Sequence, residues 1–121
     1  MDKEEKPLAL RGGGLEEATL RAVMHQRGSG YAVTLKPDIE KALGKNLTFG
    51  GVYTSLDRLE EKGFIESSWG DATAERGGRR KQFFKVTGLG EMALQQAESA
   101  QTRMRQAFAF PSDPLPEGGR S

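Results

Sequence analysis

The stretch Thr48-Phe49-Gly50-Gly51-Val52-Tyr53-Thr54-Ser55-Leu56-Asp57-Arg58-Leu59-Glu60-Glu61-Lys62-Gly63, running on into Phe64-Ile65-Glu66-Ser67-Ser68-Trp69, decides how the rest of the chain is read. Phe49, Val52, Tyr53, Leu56 and Leu59 stand at i, i+3, i+4, i+7 and i+10, the spacing that lines one face of an α-helix. Thr48 offers a hydroxyl that can accept from a backbone N–H of the first turn, and Gly63 ends the pattern. Phe49, Leu56 and Leu59 are expected in the core. Strand character then takes over across residues 64–69 and 79–86, with Gly70, Gly77 and Gly78 between them. The two runs predict one hairpin with a long tip.

Upstream, Leu15, Ala18, Leu20, Ala22, Val23 and Met24 recur at three- and four-residue steps and predict a helix over residues 15–26, ended by Arg27-Gly28-Ser29-Gly30. A second helix is expected to begin between Thr34 and Pro37, because proline is tolerated in a first turn, where Asp38 and Glu40 would suit the positive end of the dipole. Gly44 closes it after Leu43. Downstream, Thr87 caps a last helix whose Leu89, Met92, Ala93, Ala97, Ala100, Met104, Ala107 and Phe108 keep helical spacing to Phe110. The expected organisation is an N-terminal arm over 1–14, a body over 15–87, a long helix over 88–110 and a tail over 111–121.

A chain of 121 residues, 36% hydrophobic and 29% charged, suits one globular core with solvated ends. No run approaches a membrane span, and Asp2, Glu4 and Glu5 stand where a secretory signal needs basic and apolar residues, so a cytoplasmic protein is expected. With no cysteine there are no disulfides and no thiolate zinc sites, and Asn46-Leu47-Thr48 is an incidental sequon. His25, the only histidine, has no metal-binding company and reads as a surface or capping group. Gly88-Leu89-Gly90-Glu91-Met92-Ala93 fits the GxGxxA dinucleotide pattern, but no parallel strand or ribose-binding acid follows, so a capped helix start explains it better. Asp57, Glu60 and Glu61 are spread around a helix with no nucleophile nearby and read as a solvated face. Trp69 is expected to pack at the base of the hairpin. No catalytic residue, cofactor site or metal site emerges.

The net charge of +1 is uninformative, but Arg76, Arg79, Arg80, Lys81 and Lys85 crowd a stretch without an acidic residue. Three helices followed by a two-stranded ribbon with a basic, glycine-rich tip is the order of a winged helix-turn-helix, mainly α with a β-hairpin wing. In that arrangement the third helix enters the major groove and the wing lies along the backbone. With the buried face given to Val52, Leu56 and Leu59, the residues left for DNA are Thr48, Gly50, Tyr53, Thr54 and Arg58. Hydroxyls and a helix N-terminus suit phosphates, and Arg58 suits a phosphate or a guanine edge. Arg76, Arg79, Arg80 and Lys81 complete the set from the wing.

Gly30-Tyr31-Ala32-Val33, Asp38-Ile39-Glu40-Lys41, the run from Thr48 to Ile65, and Arg76 to Thr87 with Gly90 after it together resemble the PadR family of bacterial transcription regulators. The likeness covers residues 15–100. It implies a homodimeric winged-helix repressor, often one that releases double-stranded DNA when it binds a small-molecule effector. Pro37 departs from that family's uninterrupted second helix, and the short C-terminal region resembles the subgroup with a single terminal helix.

Dimerisation has its own reason. The last helix carries an apolar stripe longer than the small body can cover, which leaves Leu15, Leu20, Leu89, Met92, Ala93, Ala97, Ala100, Met104 and Phe108 to meet a second copy. A palindromic operator with half-sites about one helical turn apart would follow. The rival reading is a protein-interaction adaptor on the same scaffold, for which an acidic or apolar third-helix face would be the sign.

Overall fold

A computed structural model of the chain describes residue 10 and residues 14–70 and 80–109. In these the local signals resolve into helices α1 (Leu15–His25), α2 (Ala32–Leu43) and α3 (Phe49–Glu61), strands β1 (Ile65–Trp69) and β2 (Gln82–Val86), and helix α4 (Gly88–Ala107). The strands pair antiparallel, from Ile65 opposite Val86 to Trp69 opposite Gln82. Gly30 bridges Phe84 on the free side of β2, so the segment entering α2 borders the wing. This is a winged helix-turn-helix, mainly α with a β-hairpin wing. The expected arm and tail fall outside the described residues, apart from Leu10 and Gly14, and so does the hairpin tip with Arg76 and Arg79.

The core forms where the apolar faces of three helices and the inner face of the hairpin converge. Leu20, Val23, Leu35, Ile39, Val52, Leu56, Leu59 and Phe64 are all almost completely shielded from solvent. At about 25 cal/mol per Å2 of apolar surface removed from water, such side chains supply the main favourable contribution to folding. Two hydroxyls enter this core hydrogen-bonded to each other. Thr19 Oγ1 donates to the Leu15 carbonyl at 2.7 Å and accepts from Ser55 Oγ at 3.0 Å, joining α1 to α3 through two buried hydroxyls. Lys62 Nζ reaches the buried Glu16 Oε1 at 2.7 Å and ties the end of α3 to the start of α1.

Helix α2 begins earlier than proline placement suggested. Thr34 Oγ1 accepts from the Tyr31 N–H at 3.1 Å and donates to Gln26 Oε1 at 2.7 Å, which sets the first turn at Ala32. Pro37 therefore lies inside the helix and cannot donate to the Val33 carbonyl. Val33 and Pro37 are both exposed, so the missing bond falls on the solvent side. Gln26 Nε2 donates to the Thr34 carbonyl at 2.9 Å and to Asp38 Oδ2 at 2.8 Å, bracing the turn that contains the proline. Asp38 and Glu40 consequently stand beyond the first turn and serve as hydrogen-bond acceptors, not as dipole partners.

Three further placements differ from the sequence reading. Phe49 is 45% exposed and outside the core, because it stands at the first residue of α3, where Lys36 Nζ covers its ring at 5.1 Å from the centroid. Trp69 is exposed at the tip end of β1, opposite Gln82, and not at the base of the hairpin. Leu20 and Ala93, assigned to a dimer interface, are buried within the subunit and belong to its own core. Leu94 joins them there, so α4 is anchored to the body by its first two turns.

Helix α4 keeps one more tie to the body, Glu98 accepting from Arg21 Nη2 of α1 at 2.8 Å, and leaves it beyond that contact. Its 20 residues span about 30 Å at 1.5 Å each. From Gln101 to Phe108 every side chain except Thr102 is exposed, Met104 and Phe108 included.

Candidate nucleic-acid interface

The third helix is capped as its sequence dictates. Thr48 Oγ1 accepts from the Gly51 N–H at 3.0 Å, and the Thr48 carbonyl accepts from the Val52 N–H. Gly50 and Gly51 leave two positions of this first turn without a side chain, beside Phe49. One face of α3, made by Val52, Ser55, Leu56 and Leu59, is buried, and the helix is thereby locked in rotation. Opposite it, Gly50, Thr54 and Arg58 form one exposed line and Phe49, Tyr53 and Asp57 another, each at four-residue steps. Tyr53 is 49% exposed. Thr48, Gly50, Tyr53, Thr54 and Arg58 thus share one accessible surface. Its acidic members are Asp57 and Glu61, whereas Glu60 accepts from Ser67 Oγ of β1 at 2.8 Å and ties the helix to the hairpin.

The turn before α3 is held by a carboxylate. Glu40 accepts from the Leu47 N–H at 2.8 Å and from Lys36 Nζ at 2.9 Å. These two bonds to the ionised form, the backbone one first, hold the Glu40 carboxyl below the usual glutamate value. Lys36 in turn covers Phe49, so α2, the turn and α3 are fastened at one point.

The described part of the wing carries Arg80, Lys81 and Lys85, all exposed. Arg80 Nε donates to the Gly70 carbonyl at 2.9 Å and its guanidinium lies 5.9 Å from the Trp69 ring centroid. Lys81 Nζ sits 5.1 Å from the ring centroid of Tyr31, and Tyr31 meets Phe83 edge to face at 5.6 Å. Lys85 faces Glu66 at 3.6 Å across the hairpin, an exposed pair of little energetic weight. Tyr31, Lys36 and Phe49 were missed as members of this region. Each acts through a contact distant in the chain, which local periodicity does not report.

The glycine-rich segment at the start of α4 has a packing role. Thr87 caps the helix by accepting from the Gly90 N–H at 3.1 Å and donates its hydroxyl to the Gly63 carbonyl at 2.6 Å. Gly90 lies directly against the Phe64 carbonyl. Among the described residues no group of three His, Cys, Asp or Glu side chains could hold a metal ion, and no helix is long and apolar enough to cross a membrane.

A rotationally fixed helix with a polar outer face, followed by a cationic hairpin, defines the winged helix-turn-helix class. Residues 20–96 match the Transcriptional regulator PadR-like family, and the chain belongs to that family, whose members are transcription regulators and not enzymes. The fold recurs in a PadR-like transcription factor from Bacteroides fragilis, at 21% identity and a TM-score of 0.65, over 78% of this chain and 86% of that one. It recurs in a PadR family transcription regulator from Clostridium difficile R20291, at 17% identity and a TM-score of 0.61, over 78% and 94%. A PadR-like transcriptional regulator from Bacillus cereus gives 20% identity and a TM-score of 0.61 over 78% and 87%. No curated protein sequence matches the chain significantly.

Proposed function

We propose that this transcription regulator is a homodimer that binds double-stranded DNA at a palindromic operator. One observation carries the reading. The exposed side of α3 presents Thr48, Gly50, Tyr53, Thr54 and Arg58 while its other side is sealed in the core, and the adjacent wing presents Arg80 and Lys81 to solvent. Thr54 and Arg58 read base edges, the N-terminus of α3 with Thr48 and Tyr53 meets phosphates, and the wing cations follow the backbone. Arg76 and Arg79 extend the wing set from outside the described residues.

The second copy is held by α4. Leu89, Met92, Met104 and Phe108 are exposed, with Ala97, Ala100 and Leu15 half-buried beside them. An apolar stripe left open by its own subunit is what an isologous partner covers. The family likeness supports a repressor role, with a small-molecule effector releasing the DNA, and a cytoplasmic location. The body over 15–87 then serves as the DNA-binding unit and 88–110 as the dimerisation helix.

Selection of bound duplexes from a random pool by the purified protein tests the whole reading. A palindromic winner with half-sites about one turn apart is the expected result. Recovery of unselected sequence at low salt, or of no duplex at all, overturns it.

A further inference from the structure

The geometry points to Tyr31 as a positioning residue for the wing, holding Lys81 where it meets the polyanion; this rests on the DNA reading above. Lys81, the residue before β2, and Phe83 within it stand two positions apart in extended chain, and both meet the Tyr31 ring. The Gly30 carbonyl accepts from the Phe84 N–H at 3.0 Å, which brings the residue that opens α2 alongside β2. Tyr31 uses its ring twice there. Phe83 meets it edge to face at 5.6 Å and 77°, and Lys81 Nζ stands 5.1 Å from its centroid.

The neighbouring wing cations are held differently. Arg80 is fixed by its own hairpin through the Gly70 carbonyl and Trp69, and Lys85 only faces the exposed Glu66 across the strands. Lys81 alone of these three is held by a residue of the helical body. A lysine free in solvent gives up rotamer freedom when a phosphate fixes it, and one already seated on a ring gives up less. The ring also links the wing to α2, the helix whose Lys36 covers Phe49 at the start of α3. Wing and reading helix are therefore referenced to one element, and Tyr31 fixes the wing's half of that relation.

The test combines a readout without DNA and one with it. In the free protein, nuclear Overhauser contacts between the Lys81 Hε protons and the Tyr31 ring are expected, with Lys81 shifted upfield by the ring. Tyr31→Leu abolishes the shift and Tyr31→Phe keeps it. Absence of that contact in the wild type overturns the proposal, however the variants fold. Binding of a fluorescein-labelled mixed-sequence duplex at fixed salt supplies the second arm. Tyr31→Leu should weaken it about three- to tenfold when Lys81 is present and leave it unchanged in a Lys81→Ala background, while Tyr31→Phe binds as wild type. Equal losses in both backgrounds overturn the positioning role alone. A wild type that binds no duplex overturns the DNA reading itself, and the ring shift then remains as a separate result.

Discussion

Gly90 on α4 lies so close to the Phe64 carbonyl that a β-carbon there would overlap its oxygen and stand 2.8 Å from Val86 Cγ1. The obstacle is backbone, which cannot rotate away. Gly90→Ala is therefore expected to destabilise the fold by about 1–3 kcal/mol, the cost of overpacking. Gly88, where a β-carbon meets nothing within 4 Å, is the internal control. Urea unfolding of the two alanine variants checks the contrast. Equal stability would mean that α4 shifts freely against the hairpin, contrary to the anchored helix described above.

The buried hydroxyl pair gives a second test. Thr19→Val removes the acceptor of Ser55 Oγ while nearly conserving volume, leaving a core hydroxyl without that partner. A loss of about 1–3 kcal/mol is expected. Adding Ser55→Ala should recover part of it, because the orphaned group then disappears. A double-mutant cycle on chemical denaturation measures the coupling, and strict additivity would argue against a shared bond.

Much of this was legible locally. The caps at Thr48 and Thr87, the stop at Gly44 and the buried face of α3 follow from residue type and spacing, because each depends on neighbours within a turn or two. Thr19 and Ser55 lie on the same faces as Leu15, Val23, Val52 and Leu59, but a pattern read from apolar residues passes over polar ones, so their burial was not legible. The start of α2 was not legible: Gln26 and Thr34 brace a helix whose Pro37 argues against it, and a tertiary brace leaves no periodic trace. Phe49 and Trp69 were misplaced for a related reason. Apolar spacing assigns a face but not whether a neighbouring element reaches far enough to cover the residue at its end. Leu20 and Ala93 show the converse, since an apolar stripe does not tell which of its members the subunit keeps for itself.

Glu40 makes the helix-turn-helix corner sensitive to acid. Its carboxyl is held below the usual glutamate value in the folded protein, so its contribution to stability is fully present above the unfolded-state value. As pH falls between the two values the unfolded chain takes up the proton first, and stability declines until the folded Glu40 is also protonated. The difference in unfolding free energy between wild type and Glu40→Gln should therefore be largest near neutrality and shrink through this acid range. A difference that stays constant with pH would show that the ionised form gains nothing from Leu47 and Lys36.

Wing and reading helix should fail in different ways. Replacing Arg79, Arg80 and Lys81 with alanine is expected to weaken binding to all duplexes alike and to flatten the salt dependence by roughly 0.9 per lost phosphate contact. Arg58→Ala or Thr54→Ala should instead relax discrimination among operators by about 1–3 kcal/mol per lost base contact. Titrations across salt concentrations separate the two. An unchanged slope in the triple variant would remove the wing from the interface.

The exposed end of α4 tests the proposed assembly. Met104 is 60% and Phe108 76% exposed on two turns that touch little of their own subunit, so replacing either leaves the fold intact. In an isologous dimer each substitution is made twice, so one change removes two contacts. Burying a Met or Phe side chain is worth about 1.5–3 kcal/mol, so Phe108→Glu should cost at least ~3 kcal/mol of dimer stability, roughly a hundredfold in dissociation constant. Sedimentation equilibrium over a concentration series should show the wild type as a dimer and the variant shifted to monomer, both with the same far-ultraviolet circular dichroism. A monomeric wild type, or a variant that dimerises as tightly, would mean that this stripe is not where two copies meet, and two reading helices would then have nothing to hold them at a fixed spacing.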